Sequence, residues 1–288
     1  MEQAQMKTAL GEITKARKIF GQRPPDAWLE ILTHLELLDQ KTERKGKKAF
    51  KIIVGSFILL FVSGFIGAAI FPPALFLIPF GIAGFIFGIF SAIRQSKQDI
   101  DDGFRNYLKP LVKMMGNDMK ADRELSIEMA LLPTDHKSFL KSGGKKYAKG
   151  AYHACYDRIY EREYLSLKAR LYDGNRLTLS VSDSLTRSDM TKKNPRGKIK
   201  TKSKYRKQRI TYMVRLRVNP EKYRCEALSE QGQTGNVRKL NLRQTEKGPE
   251  LTLVYADKRK KQKSDPDVRL TLQLLARLYG NLTPLTSA

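Results

Sequence analysis

The residues with the clearest chemical character lie in a lysine- and arginine-rich segment between Leu185 and Ile210. Asp189 is the only acid in this segment, beside eleven basic residues. Such a charge excess attracts phosphate and carboxylate groups. We therefore expect an anion-binding site here, formed by Lys192, Lys193, Arg196, Lys198, Lys200, Lys202, Lys204 and Arg206.

Three classes of anion fit this site. Anionic lipid headgroups gain on the order of 1 kcal/mol of attraction from each nearby lysine or arginine. An acidic protein partner would use the same charges. Nucleic acid would bind through its phosphates with a steep salt dependence. The sequence has no RNA-recognition aromatic pair, helix-turn-helix or zinc-ligand spacing, so nucleic-acid binding would not be specific for base sequence.

The sequence offers little that could support catalysis or hold a cofactor. It has no Walker-type glycine loop, nucleophile elbow or HExxH motif. His153 and Cys155 are close together, but no third or fourth metal ligand follows at a recognisable spacing, so we interpret them as structural. Asp99, Asp101 and Asp102 are interpreted as a solvated surface. We expect a protein without enzymatic activity, cofactor or metal; an enzyme whose site the sequence hides is the alternative.

A predicted hairpin positions the basic residues. Asn194-Pro195-Arg196-Gly197 has the residues of a type I turn. If this turn closes a hairpin, Lys193 lies opposite Lys198, and the same register places Val181 opposite Ile210 without a bulge. The alternative is a solvated, disordered lysine-rich loop, because isolated two-stranded ribbons are marginal in water.

This register has a consequence for the charges. The even-numbered basic residues from Lys198 to Arg206 would share one face of the hairpin with Ile210, Tyr212 and Val214. The hairpin would then present a cationic face at its tip and an apolar face at its base.

A long uncharged stretch anchors the chain. The 42 residues from Ile52 to Ile93 contain no Asp, Glu, Lys, Arg or His. Because about 20 apolar residues cross a bilayer, the stretch predicts two transmembrane helices, Ile52 to Ile70 and Leu75 to Ile93. Phe71-Pro72-Pro73-Ala74 would form the tight turn between them.

The flanks of this stretch predict its orientation. Basic residues precede the first span and follow the second, which places both termini in the cytoplasm of a multi-pass inner-membrane protein. The two cysteines imply no disulfide framework and favour a reducing compartment. Gly84 and Gly88 have a small-residue spacing that suits helix packing, within the hairpin or in a homo-oligomer. The apolar stripe of a helix at residues 26–40 is a second candidate oligomer contact.

Alternating apolar residues after the membrane predict strands. Leu165 to Leu171 and Leu177 to Val181 flank the turn Asp173-Gly174-Asn175, and further strands follow. A final helix should begin at Pro266, capped by Asp265, and cover the sheet. Tyrosines at every fourth position from Tyr152 to Tyr164 fit either a helix or a strand.

We favour helix up to Glu161 and strand afterwards, and we expect another helix from Arg123 to Leu132. The predicted fold is a membrane α-helical hairpin of two transmembrane helices plus a cytoplasmic α+β domain whose antiparallel sheet is covered by helices. Its predicted parts are cytoplasmic amphipathic helices (1–50), the transmembrane hairpin (51–94), a helical stalk or connector (95–150) and a basic α+β domain (151–288) with a long basic hairpin at 183–210.

Charge placement indicates the function. The net charge is +25, and residues 94–288 carry 43 Lys and Arg against 22 Asp and Glu, a net +21. We therefore expect a membrane scaffold or adaptor whose basic domain binds anionic lipid headgroups or an acidic partner.

Overall fold

The apolar stretch that begins at Ile52 is part of a much longer helix, α2 (Pro25–Ala69). The computed structural model describes residues 3–69, 76–96, 100–225, 237–246, 248–260 and 264–285. A second apolar helix, α3 (Ile78–Ser96), follows α2. By length and composition α2 is able to cross a membrane, whereas the apolar part of α3, Ile78–Arg94, has 17 residues. The predicted turn at 71–74 lies outside the described residues.

The chain divides into two compact units, one of Thr33–Ile100 and one of Met1–Leu32 with Asp101–Ala288. Within the first unit, glycines of α3 pack against α2. A Cβ atom on Gly81 would lie 2.7 Å from Leu60 Cγ, and Cβ atoms on Gly84 and Gly88 would meet Ser56 and Ile53. These glycines therefore let the two apolar helices approach closely within one chain.

The second unit begins with α1 (Gln3–Ala16), whose residues Met6, Leu10 and Ile13 are buried. The next segment, Lys18–Arg23, is a strand that pairs with Leu125–Ala130. The N-terminal region, for which we expected only amphipathic helices, thus also supplies an edge strand of the sheet. Cross-strand hydrogen bonds stabilise this strand, and they come from residues about a hundred positions away, so its own short sequence does not reveal them.

In the described ranges, an antiparallel sheet of nine strands forms the framework of this unit. The described strands are β1 (Lys18–Arg23), β2 (Leu125–Ala130), β3 (Leu140–Gly143), β4 (Tyr147–Lys149), β5 (Tyr152–Arg170), β6 (Arg176–Lys193), β7 (Ile199–Arg217), β8 (Tyr223–Cys225), β9 (Val237–Thr245), β10 (Gly248–Lys260) and β11 (Leu282–Pro284). Seven of them follow the order β1-β2-β5-β6-β7-β10-β9 in the sheet, and β3 and β4 pair with β5. β8 and β11 form a separate two-stranded sheet.

Short helices accompany the sheet. A π-helical turn (Phe104–Leu108) leads into α4 (Lys109–Asn117), and α5 (Val268–Tyr279) packs on β7 and β10. The hydroxyl groups of Tyr107 and Thr271 lie 2.8 Å apart and join the π-helical turn to α5. The prediction of an antiparallel sheet accompanied by helices is confirmed.

Three local predictions were wrong. Tyr152–Arg170 is strand throughout, because its tyrosine row fits a strand as well as a helix and pairing with β6 stabilises the strand. The segment predicted as a helix from Arg123 to Leu132 forms β2, since Leu125, Ile127 and Met129 alternate inward. The predicted helical connector at 95–150 accordingly contains α4 but also β2, β3 and β4.

The last helix begins slightly later than predicted and ends where expected. Its N-cap is Asp267, not Asp265, and the Asp267 side chain accepts from the Arg269 backbone N–H. Gly280 is the C-cap. Between β5 and β6, the turn at Asp173-Gly174-Asn175 occurs as predicted, with a positive φ of 91° at Gly174.

Candidate anion-binding site

The basic segment lies in the distal parts of β6 and β7 and the turn between them; we call residues 186–207 the basic ribbon. The Asn194 N–H donates to the Lys198 carbonyl at 2.9 Å, and the Gly197 N–H donates to the Asn194 carbonyl at 2.8 Å. Gly197 has a φ of 80°, a left-handed conformation that glycine adopts without steric cost. A type I turn followed by a left-handed glycine therefore closes the hairpin.

A third strand supports the basic ribbon. β5 pairs with β6 as far as Ala154 opposite Thr191. β4 in turn pairs with β5, with Tyr147 opposite Cys155. Three or more paired strands are far more stable than an isolated hairpin, which accounts for the extended order of this segment.

The predicted register was wrong. Lys193 lies opposite Ile199, not Lys198, and Val181 lies opposite Tyr212, not Ile210. The pairing also shifts by one residue between Thr186 and Arg187, which leaves Arg206 as an extra residue on β7. The predicted hairpin excluded such a β-bulge, and a bulge reverses which residues of a strand face each side.

The bulge places the lysines on a different face from the predicted one. Lys200, Lys202 and Lys204 lie opposite Lys192, Met190 and Ser188, so these six side chains share one face. Ile210 and Tyr212 lie opposite Asp183 and Val181, which belong to the other face of β6. The even-numbered lysines are therefore not on the face of Ile210, Tyr212 and Val214.

The face of the ribbon that bears Lys200, Lys202 and Lys204, which we call the lysine-bearing face, has an excess of positive charge. Lys200, Lys202 and Lys204 are exposed, and Lys192 is half-buried with its Nζ 5.9 Å from the centre of the Tyr152 ring. Within the described part of the chain, none of these four lysines forms an ion pair. Arg206 lies on the same face, where its Nε donates to Ser188 Oγ at 3.0 Å.

The opposite face of the ribbon is charge-compensated. Arg187 lies 3.1 Å from Asp189 and 3.5 Å from Asp135, and Arg158 of β5 lies 3.5 Å from Asp189. The Tyr205 hydroxyl donates to Asp135 at 3.0 Å. Burial and the neighbouring Asp135 carboxylate raise the pKa of Tyr205, which keeps this donor protonated. Asp135 and Asp189 therefore neutralise this face. On the lysine-bearing face Asp157 lies opposite Ser188 and accepts from the Ser188 and Tyr147 hydroxyls, and among the described residues it forms no ion pair with the four lysines.

The structure brings together five of the eight predicted site residues: Lys192, Lys200, Lys202, Lys204 and Arg206 share one face. Lys193, Arg196 and Lys198 are exposed at the tip of the ribbon. Our sequence reasoning missed Tyr152, whose ring contacts Lys192, and Asp135, which helps to neutralise the other face. Both come from segments distant in sequence, so only the strand pairing reveals them.

The other residues that we considered as possible metal ligands are His153, Cys155 and the aspartates near residue 100. His153 and Cys155 occupy one face of β5, and in the described chain no third potential metal ligand joins them. Asp101, which we expected on a solvated surface, is buried against Arg162 at 2.8 Å. Asp99 lies outside the described residues. Comparisons with protein-family models, curated proteins and solved structures find no match to this chain, so its function has to be inferred from its own geometry.

Proposed function

We propose that this chain is a membrane scaffold or adaptor that binds anionic lipid headgroups through the lysine-bearing face of the basic ribbon. In this proposal α2 and α3 form a hairpin that crosses the cytoplasmic membrane twice, and both termini are cytoplasmic. The contacts of Gly84 and Gly88 with α2 support a paired hairpin, because such contacts bring two helices close along their length.

The segregation of charge between the two ribbon faces carries the proposal. Lys192 lies directly opposite Lys200, and Lys202 and Lys204 follow at two-residue steps on the same face, so the row is roughly 14 Å long. Like charges at this spacing repel, and an anionic surface relieves that repulsion. Four lysines near a headgroup layer together contribute on the order of 4 kcal/mol of attraction.

Lipid is favoured over an acidic protein because a helix able to cross a membrane lies in the same chain. Tethering holds the ribbon at a high effective concentration relative to headgroups, so modest intrinsic attraction is sufficient for contact.

The test uses the full chain, because β1 from residues 18–23 belongs to the same sheet as the ribbon. We would place the protein in phosphatidylcholine nanodiscs and measure its binding to phosphatidylglycerol vesicles by flotation. Replacing the four lysines at 192, 200, 202 and 204 by serine is expected to abolish this binding. The matched control removes four exposed charges elsewhere: Lys113, Lys222, Arg224 and Arg269 to serine.

Equal binding by the two quadruple variants would contradict the proposal. RNA binding that requires the same four lysines and falls steeply with salt would instead favour a membrane-tethered nucleic-acid-binding protein. The hairpin is tested separately by reporter fusions. Two spans require that reporters on both termini are cytoplasmic, whereas one span places them on opposite sides of the membrane.

A further inference from the structure

A second basic site lies on the sheet, far from the ribbon. It is an open cavity of about 560 Å³ on the face opposite to the buried core residues of β6 and β7. Its volume is within the range of small-molecule sites. Seven charged residues line it, five of them basic: Lys168, Arg170, Arg176, Arg215 and Arg217 against Glu124 and Glu250.

The strand register aligns the arginines in a row. Arg170 of β5 lies opposite Arg176 of β6, which lies opposite Arg217 of β7, which lies opposite Glu250 of β10. Directly opposed like charges destabilise a sheet, so three consecutive arginines across three strands are costly without a counter-charge. A row of charged side chains whose only role was to stabilise the sheet would alternate between positive and negative residues. This row instead carries positive charge on three neighbouring strands.

Glu250 compensates only part of this charge. Its nearly buried carboxylate lies 3.5 Å from Arg215 Nε and 3.4 Å from Arg217 Nη2, which holds these two side chains at the cavity. The Nε of Arg217 is buried and has no hydrogen-bond partner among the described residues. Arg170 and Arg176 form no ion pair in that part of the chain. The cavity therefore has arginine donors in excess of its acceptors.

The chemistry of the row indicates the ligand. Guanidinium groups bind phosphate in a two-pronged geometry that lysine cannot reproduce. Neighbouring strands lie about 4.8 Å apart, so the three arginines span roughly 10 Å, enough for more than one phosphate group. Among the described residues, no aromatic side chain lines the cavity, so they offer no platform for stacking a base. We propose that this cavity binds a ligand that carries two or more phosphate groups.

This site is independent of the proposed lipid-binding ribbon. Arg217 and Lys202 lie fifteen residues apart on the same strand, β7, which corresponds to about 50 Å. The effect of a substitution on binding at one site can therefore be measured without disturbing the other site.

The experiment measures binding of inorganic tripolyphosphate to the detergent-solubilised full chain by isothermal titration calorimetry. We expect saturable binding that Arg176→Gln with Arg217→Gln weakens at least about tenfold, because this variant loses the charge-assisted hydrogen bonds of two guanidinium groups. Arg224→Gln with Arg269→Gln removes the same charge from other exposed positions and should leave the affinity unchanged. The serine variant of the four ribbon lysines should also bind as the unmodified chain does.

A monophosphate should bind more weakly than tripolyphosphate, because it engages fewer of the aligned arginines. If the double variant loses its sheet signal in circular dichroism, Arg170→Gln replaces it, since Arg170 has no polar side-chain contact in the described structure. Absence of tripolyphosphate binding, or equal loss in the control variant, would overturn the proposal. Competition by mixed micelles containing cardiolipin, whose headgroup has two phosphates, would identify the ligand as a lipid; its absence would identify a free phosphate compound.

Discussion

Arg162 of β5 donates from Nη1 to Asp101 Oδ2 across 2.8 Å, and its Nη2 lies 3.7 Å from Asp183 Oδ2 on β6. All three side chains are buried, with exposed fractions of 2%, 9% and 4%. Asp183 also accepts from the Thr134 hydroxyl and the Gln208 amide. One guanidinium thus balances two buried carboxylates and fastens the segment at residue 101 to the sheet.

Arg162→Met should destabilise the second unit by about 3–5 kcal/mol, because it removes the guanidinium that pairs with two buried carboxylates. Urea unfolding of the full chain in micelles, followed by circular dichroism of the sheet, measures this change. Arg158→Met is the control on the same strand. Its side chain is 48% exposed, so its ion pair with Asp189 should contribute less than about 1 kcal/mol. Similar losses in the two variants would show that Arg162 is not a buried counter-charge.

Tyr164→Phe should stabilise the protein by about 1 kcal/mol. The Tyr164 hydroxyl is buried and, among the described residues, has no hydrogen-bond partner. The phenylalanine variant therefore avoids the free-energy cost of burying a hydroxyl group that makes no hydrogen bond. Burial raises the pKa of Tyr164 well above its ordinary value, so the phenol stays protonated and the gain should not depend on pH near neutrality. Urea unfolding checks the sign; destabilisation would indicate a hydrogen bond to this hydroxyl.

Gly103→Ala should destabilise the protein by about 1–3 kcal/mol, because the new methyl group would overlap the Tyr164 hydroxyl. The loss should shrink in a Tyr164→Phe background, which removes the overlapping oxygen. Gly11→Ala in α1 is the matched control: its methyl group meets open space, and alanine favours helix by up to about 1 kcal/mol. A loss unaffected by Tyr164→Phe would place the clash elsewhere.

Asp265→Asn should stabilise the protein at neutral pH and not in acid. Burial, and secondly the charge of Asp101, raise the pKa of Asp265 above its ordinary value of 3.8. Since the folded state favours the protonated acid, the contribution of Asp265 to stability is fully present below about pH 4 and is lost as the pH rises through the raised pKa. Melting temperatures across this range test the prediction. Asp122→Asn, at a 73% exposed side chain, is the control for removing a carboxylate charge elsewhere on the surface. A pH-independent effect of Asp265→Asn would contradict the prediction.

The register of the basic ribbon predicts which cysteine pairs can form a disulfide. Thr191 and Thr201 lie opposite each other with their hydroxyl oxygens 3.3 Å apart. In a background without Cys155 and Cys225, Thr191→Cys with Thr201→Cys should therefore oxidise readily. Thr191→Cys with Lys200→Cys, which the bulge-free register would join, should not. Gel mobility with and without reductant distinguishes them, and the reverse result would contradict the register at the tip of the ribbon.

The sequence by itself determined the features that depend on composition and short-range pattern. The uncharged stretch from Ile52 identified the apolar helices, and alternation identified β6 and β7. Asp173-Gly174-Asn175 and Gly280 marked a turn and a helix end. Each is a local signal, because a turn, a helix end or an apolar span requires particular residues at particular positions.

Tertiary structure decided the rest. The tyrosines from Tyr152 to Tyr164 fit both periods, and only pairing with β6 makes them a strand. The bulge at Arg206 is one unpaired residue whose position depends on the partner strand, yet it determines which face bears the lysines. The row of Arg170, Arg176 and Arg217 joins three strands, so no single stretch of sequence contains it. Charge content is a property of the chain, but charge placement is a property of the register.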